Sequence, residues 1–172
     1  MRTLSKIKIF ISVLLLGICS SSLAYSFDTK ARAAYVIDQT SGTILLSKNA
    51  DLPLPPASMS KLMTLYMTFE FIKAGRLSLD EKLPVSVNAA NYTGSTMFLD
   101  PTDRVTVIDL IRGIIVLSGN DACAVLAEAL SPDGTEAGFA KLMTKRAKQL
   151  GLKNSTFKNS NGWPASGHQM SV

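Results

Sequence analysis

The chain has 172 residues, 47% of them hydrophobic and 18% charged, which is enough for one domain of ordinary size. Its 18 Lys+Arg against 13 Asp+Glu give a formal charge of +5, but Arg2, Lys6 and Lys8 fall in an N-terminal targeting segment that holds no acid. The remainder carries only +2, which is no nucleic-acid signature, and with one histidine and one cysteine outside that segment it has neither a metal-ligand spacing nor an internal disulfide.

Residues 1–24 read as a signal peptide. A basic start is followed by the apolar run Ile7 to Ile18, and Ser22-Leu23-Ala24 places small residues at the two positions a signal peptidase reads, with cleavage after Ala24. The run is short of the roughly 20 residues that a spanning helix needs. Bulky Ile18 directly before Cys19 argues against a lipid anchor there. Ala34 to Asp38 and Thr43 to Ser47 are β-rich runs separated by Gln39-Thr40-Ser41-Gly42, a hairpin with a Gly-containing turn. A lone hairpin is marginal in water, so its apolar face is expected to pack on a helix or on further strands.

Leu52 to Pro56 forms a Pro-rich approach to a helix predicted from Ser58 to Ala74, stopping at Gly75. Leu62, Leu65, Phe69 and Ile72 recur at helical spacing, and Met59, Met63 and Met67 widen the stripe, so most of this helix is expected to be buried. Leu77 to Thr102 is less regular, with the strand-like piece Lys82 to Val87. Thr106-Val107-Ile108-Asp109 is a capping-box-like start to an apolar helix ending at Leu117. The chain breaks at Ser118-Gly119-Asn120 and resumes as the Ala-rich run Asp121 to Leu130, in which Cys123 reads as a small buried residue. A last amphipathic helix spans Thr135 to Leu150, its Lys141, Lys145, Arg146 and Lys148 facing outward or toward a C-terminus that favours them. The residues beyond read as loop.

Ser-x-x-Lys occurs at Ser5, Ser58 and Ser155. On a helix, positions i and i+3 share a face with Cβ atoms roughly 5–6 Å apart, so a lysine can reach back to a serine one turn before it. Only Ser58 opens a long apolar-periodic helix, whose N-terminal partial charge favours negative charge near the hydroxyl. Ser58 is therefore the candidate nucleophile and Lys61 the candidate base. Ser118-Gly119-Asn120 is a second polar feature, held at a corner between apolar segments; Ser-x-Asn also occurs at Ser47 and Ser86, so its setting distinguishes it rather than its spacing.

These motifs resemble the serine D-Ala-D-Ala carboxypeptidases, the low-molecular-mass penicillin-binding proteins. The likeness runs from Pro55-Pro56-Ala57-Ser58 into Lys61-Leu62-Met63-Thr64, then through Gly94-Ser95-Thr96-Met97-Phe98-Leu99, Ser118-Gly119-Asn120-Asp121-Ala122 and Leu150-Gly151-Leu152, to Phe157, Asn159 and Gly162-Trp163-Pro164. It covers about Ala33 to Val172. The resemblance implies a mixed α/β fold of the β-lactamase and DD-peptidase kind, an antiparallel sheet with packed helices beside a helical lobe. It implies attack by Ser58 on the carbonyl between the last two D-alanines of a peptidoglycan stem peptide, with Lys61 taking the proton, Ser118 relaying one to the departing amine and the Asn120 amide holding the substrate backbone. β-Lactam antibiotics would acylate the same serine, and no cofactor or nucleic-acid partner is implied.

A third motif of the family, Lys-Thr-Gly or Lys-Ser-Gly on a later strand, has no counterpart in this sequence. Residues 25–172 are accordingly expected to be an incomplete catalytic domain that lacks C-terminal strands, poorly folded and nearly inactive alone. The family's C-terminal membrane-binding part is likewise not represented. Export would place the protein in the periplasm or at the outer face of a bacterial cytoplasmic membrane. A β-lactamase, a cross-link endopeptidase and a non-catalytic wall-binding protein stay open as alternatives. His168 is expected to be structural or superficial, since the implied mechanism does not require it.

Overall fold

The computed structural model describes residue 27 and residues 29–172, so the predicted signal peptide at 1–24 lies outside the described residues. The chain divides into two units, residues 1–31 and 32–172. Within the first, the Ala31 amide donates to Thr29 Oγ1 at 3.2 Å.

Strand β1 (Ala34–Ile37) pairs antiparallel with β2 (Ile44–Lys48), Ala34 opposite Lys48. The turn is closed by Asp38, whose Oδ1 accepts the Thr40 amide at 2.8 Å, the local side-chain bond that makes Asp a turn residue. The hairpin forms where its pattern predicts, but Val36, Ile37, Ile44 and Leu45 are exposed, and among the described residues β1 and β2 make a two-stranded sheet. A second ribbon joins β3 (Lys82–Pro84) to β4 (Arg104–Thr106). The class is mixed α/β as expected, with the antiparallel structure split into two separate ribbons.

The helices are α1 (Lys61–Lys73), entered through a 3₁₀ turn at Ala57–Ser60, then α2 (Val87–Ala90), α3 (Val107–Leu117), α4 (Asn120–Leu130) and α5 (Glu136–Gln149). Thr106 Oγ1 accepts the Asp109 amide at 3.3 Å and Thr135 Oγ1 accepts the Gly138 amide at 2.9 Å, so two starts legible in sequence are capped as residue type dictates. Helix α4 is the hub. Ala122 to Ala127 are essentially inaccessible, and α1, α2, α3 and α5 all pack against it. Small Ala and Cys side chains let those neighbours approach, while Leu110, Leu126, Phe139 and Met143 fill the space between. Cys123 is buried there as expected.

Helix α1 differs from expectation. Met63, Thr64, Met67 and Thr68 face the core, but Met59, Leu62, Tyr66 and Phe69 form a second stripe that is exposed. Helical periodicity marks both stripes as apolar; only one has a neighbour within residues 32–172 to cover it. No helix among the described residues is long and apolar enough to cross a membrane.

The corner between α3 and α4 is tied to the loop before β4 by Asp121, which is 1% exposed. Its carboxylate accepts the amides of Met97 at 2.9 Å, Leu99 at 3.2 Å and Ala122 at 2.8 Å. Between the first two, Phe98 has a φ of +58° and is 91% exposed. Replacing Asp121 with Ala strands these buried donors; the expected loss is about 2–4 kcal/mol of unfolding free energy, read from urea denaturation, and an unchanged midpoint would contradict the clamp.

Candidate active site

The site is built from the end of a proline pair. Pro55-Pro56 cannot continue as regular strand, and Ala57, next in line, takes a φ of +47°, a left-handed conformation that costs a non-glycine residue about 1–3 kcal/mol. Gly162 explains how it is held. A Cβ on Gly162 would overlap the Ala57 carbonyl, so only glycine lets the 159–163 segment lie against the Ala57–Ser58 peptide. This kink leaves Ser58 exposed at the start of the 3₁₀ turn, and its backbone N–H donates to no acceptor among the described residues.

Lys61 follows one turn later. Its Nζ donates to Ser58 Oγ at 3.0 Å and to the Asn161 carbonyl at 2.9 Å, and the residue is only 4% exposed. Burial holds the Lys61 ammonium below its ordinary pKa of 10.5. A Cys123 thiolate would oppose this, but burial pushes that thiol far above its usual range, so it stays neutral. A serine hydroxyl in contact with an amine that is disfavoured as a cation is the pairing that serine activation without histidine requires.

The segment Asn159–Trp163 forms a strap across this helix face. Thr64 Oγ1 donates to the Ser160 carbonyl at 2.6 Å, beside the Lys61 bond to Asn161. The strap closes on itself: Asn159 Oδ1 accepts the Gly162 amide, Asn159 Nδ2 donates to the Trp163 carbonyl, and Asn161 Oδ1 accepts the Trp163 amide, each at 2.8 Å.

Ser118 is the C-cap of α3, in the left-handed conformation at φ +57°, half-buried, and its Oγ has no hydrogen-bond partner among the described residues. Asn120 begins α4 and is mostly buried. Its amide donates to the Ser95 carbonyl at 2.8 Å and its Nδ2 to the Thr93 carbonyl at 2.8 Å. One side-chain N–H is thus already spent on the protein; Oδ1 and the second N–H are not. The structure joins Ser58 to Lys61 directly, whereas Ser118 and Asn120 are held at their corner without a bond to that pair.

His168 is buried, not superficial. Its Nε2 lies 2.8 Å from Ser60 Oγ, and its ring meets Phe157 edge-on with centroids 5.7 Å apart. It also borders a cavity of about 430 Å³ lined by Pro55, Pro56, Trp163 and Pro164. Burial, and secondarily Lys158, hold its pKa below 6.5. Of the other Ser-x-x-Lys pairs, Ser155 lies in a turn rather than a helix and Ser5 falls outside the described residues. Sequence reasoning missed the strap's part in the site. The Asn161 contact uses a backbone carbonyl, which no side chain advertises; in the sequence the segment is marked by its polar run and by the family-like Asn159 and Gly162-Trp163-Pro164.

A protein family described as D-alanyl-D-alanine carboxypeptidase matches residues 20–172. The D-alanyl-D-alanine carboxypeptidase DacF of Bacillus subtilis is 38% identical over 177 aligned residues, which cover 96% of this chain and 45% of that protein. The crystal structure of the D-alanyl-D-alanine carboxypeptidase DacD from Francisella tularensis superimposes with a TM-score of 0.82 at 36% identity, covering 91% of this chain and 38% of that one. Penicillin binding protein 5 from Haemophilus influenzae gives 0.78 at 35% identity, over 84% and 42%. The chain therefore spans less than half the length of these relatives.

Two outcomes follow from the site's construction. Gly162→Ala should push the Ala57–Ser58 peptide out of place and slow reaction of Ser58 with an acylating probe about 100-fold, as expected for a displacement near 1 Å; a parental rate would contradict the contact. Because His168 is held neutral in the fold, its contribution to stability is complete above its unfolded value of 6.5 and is lost as pH falls through the lower folded value. Melting temperatures measured from pH 7 down to about pH 5 should fall less steeply for His168→Gln than for the parent.

Proposed function

The chain belongs to the D-alanyl-D-alanine carboxypeptidase family, and from that premise we propose that it is the Ser58-bearing part of a serine D-Ala-D-Ala carboxypeptidase that removes the terminal D-alanine from peptidoglycan stem pentapeptides and is acylated by penicillins. The observation that carries the reading is the 3.0 Å hydrogen bond from the buried Lys61 amine to the exposed Ser58 hydroxyl.

In this reading neutral Lys61 takes the Ser58 proton as Oγ attacks the scissile carbonyl. Bringing an ordinary lysine near neutrality takes about three pKa units, or about 4 kcal/mol of disfavoured charge, and the direction of the Lys61 shift agrees. The uncommitted Ser58 N–H faces the developing oxyanion. Collapse of the tetrahedral species breaks the peptide C–N bond; D-alanine leaves as its nitrogen takes a proton through Ser118, whose hydroxyl is free to relay it. Water then cleaves the acyl ester. Asn120 holds the substrate backbone through Oδ1 and its second side-chain N–H, while its first, bound to Thr93, fixes the side chain.

A second oxyanion donor is worth about 3–4 kcal/mol. The family pattern places it on a Lys-Thr-Gly strand, and this sequence holds no such triplet. With the Ser58 N–H alone, acylation is slower by about 100–1,000-fold than where both donors are present. Residues 1–24 serve as an export signal in this reading, which puts the protein on the peptidoglycan side of a bacterial cytoplasmic membrane.

Incubation with a labelled penicillin followed by mass mapping should place the adduct on the peptide that contains Ser58, with none on Ser58→Ala. Lys61→Met should acylate at least about 100-fold more slowly, and the parental rate should rise with pH through the Lys61 midpoint, below 10.5. An adduct elsewhere, or one that survives in Ser58→Ala, overturns the assignment. D-Alanine release from a stem pentapeptide separates the carboxypeptidase from a wall-binding protein that holds the peptide without turnover.

A further inference from the structure

Glu136, in the first turn of α5, is none of the groups assigned above, yet its carboxylate reaches what holds both halves of the site. Oε2 accepts the Tyr92 hydroxyl at 2.6 Å, and Oε1 accepts the Ser160 amide at 2.9 Å together with the Ser160 hydroxyl. Ser160 precedes Asn161, whose carbonyl receives Lys61 Nζ. Tyr92 precedes Thr93, whose carbonyl receives Asn120 Nδ2. The Trp163 ring meets Tyr92 edge-on at 6.2 Å and closes the circuit.

We propose that Glu136 is a positioning residue for the Ser58 reaction, a single acceptor that fixes the 159–163 strap and the 92–95 loop relative to each other, and so holds Lys61 on Ser58 and Asn120 toward the substrate. The inference rests on reading Ser58 and Lys61 as the reacting pair. Its physical basis is that one carboxyl group accepts all three bonds, two from Ser160 in the strap and one from Tyr92 in the loop. The N-terminus of α5 stabilises that carboxylate, and Phe139 and Met143 anchor the helix in the core, so the tie is referred to a rigid element. Ser160 is fully buried and Tyr92 half-buried, so water cannot readily replace either arm. Burial first, then the carboxylate, push the Tyr92 phenol far above its usual range, so it remains a donor at every working pH.

The test compares Glu136→Ala, Glu136→Gln and Tyr92→Phe with the parent by the acylation rate and its pH profile with a labelled penicillin, and by the emission of Trp163, the chain's single tryptophan. Glu136→Ala should acylate about 100-fold more slowly, as for a 1 Å misplacement. Its profile should shift to higher pH as Lys61 loses its fixed burial, and its Trp163 emission should move to the red. Glu136→Gln, which keeps an acceptor for Ser160 and a polar partner for Tyr92, should recover most of the rate and the profile. A Glu136→Ala protein with the parental rate and profile overturns the proposal, as does a slower one whose profile and Trp163 emission are unmoved. If Glu136→Ala fails to fold by circular dichroism, Tyr92→Phe decides: about a 10-fold slower acylation with shifted emission supports the tie, and parental values sink it. If the parent, folded by circular dichroism, takes no label even on prolonged incubation at high penicillin concentration, the Ser58 reading fails, and Trp163 emission in Glu136→Ala against Glu136→Gln still decides whether Glu136 holds the strap.

Discussion

The amine of Lys61 is buried between one side-chain oxygen and one backbone carbonyl, and most of the surrounding structure serves to keep it there. Ser58 Oγ and the Asn161 carbonyl satisfy two of its donors. Neither is a carboxylate, and what opposes burial in its titration is the Cys123 thiol, which its own burial keeps neutral. Desolvation therefore acts without an anion to offset it, and the charged form loses. Had either neighbour been Asp or Glu, the same burial would have produced a structural ion pair and a cationic lysine unable to take a proton.

Holding that geometry requires the strap to lie unusually close to the turn that carries Ser58. Gly162 supplies the approach and Ala57 the bend, each in the left-handed region, and the two are in contact. The strain at Ala57 persists because neighbours on both sides determine it: the proline pair before it and the rest of the 3₁₀ turn that it opens. Thr64 and Glu136 then anchor the strap through Ser160, so the serine, the lysine and the carbonyl above them form one unit mounted on α1 and α5. The Ser118 corner belongs to a different support, the α3 to α4 joint clamped by Asp121. The two sides of the proposed site thus rest on two mounts, both packed on α4.

What sequence reveals here is what is local. The Ser58 and Lys61 pairing, the caps at Thr106 and Thr135 and the polar break at Ser118 each depend on residues within one or two turns, and each is found where residue type places it. Contacts across the chain leave weaker marks. Asn161 acts through its backbone, Glu136 reads as an ordinary first-turn acid, and strand β4 is the short triplet Arg104-Val105-Thr106, whose pairing with β3 is visible only in space. Periodicity overstated the burial of α1 because it identifies apolar faces without saying whether a partner covers them; Leu62 and Phe69 are as apolar as Met63 and Met67 but face outward.

Whether the fold makes Lys61 neutral enough to act as a base is read from titration of the Lys61 side chain by carbon NMR, followed at Cε. The expected midpoint lies below 10.5 and returns toward that value when Gly162 is replaced by Ala and the strap is lifted. An unshifted midpoint in the parent would mean that the amine is a cation at neutral pH, and would contradict the account whatever else reacts at Ser58.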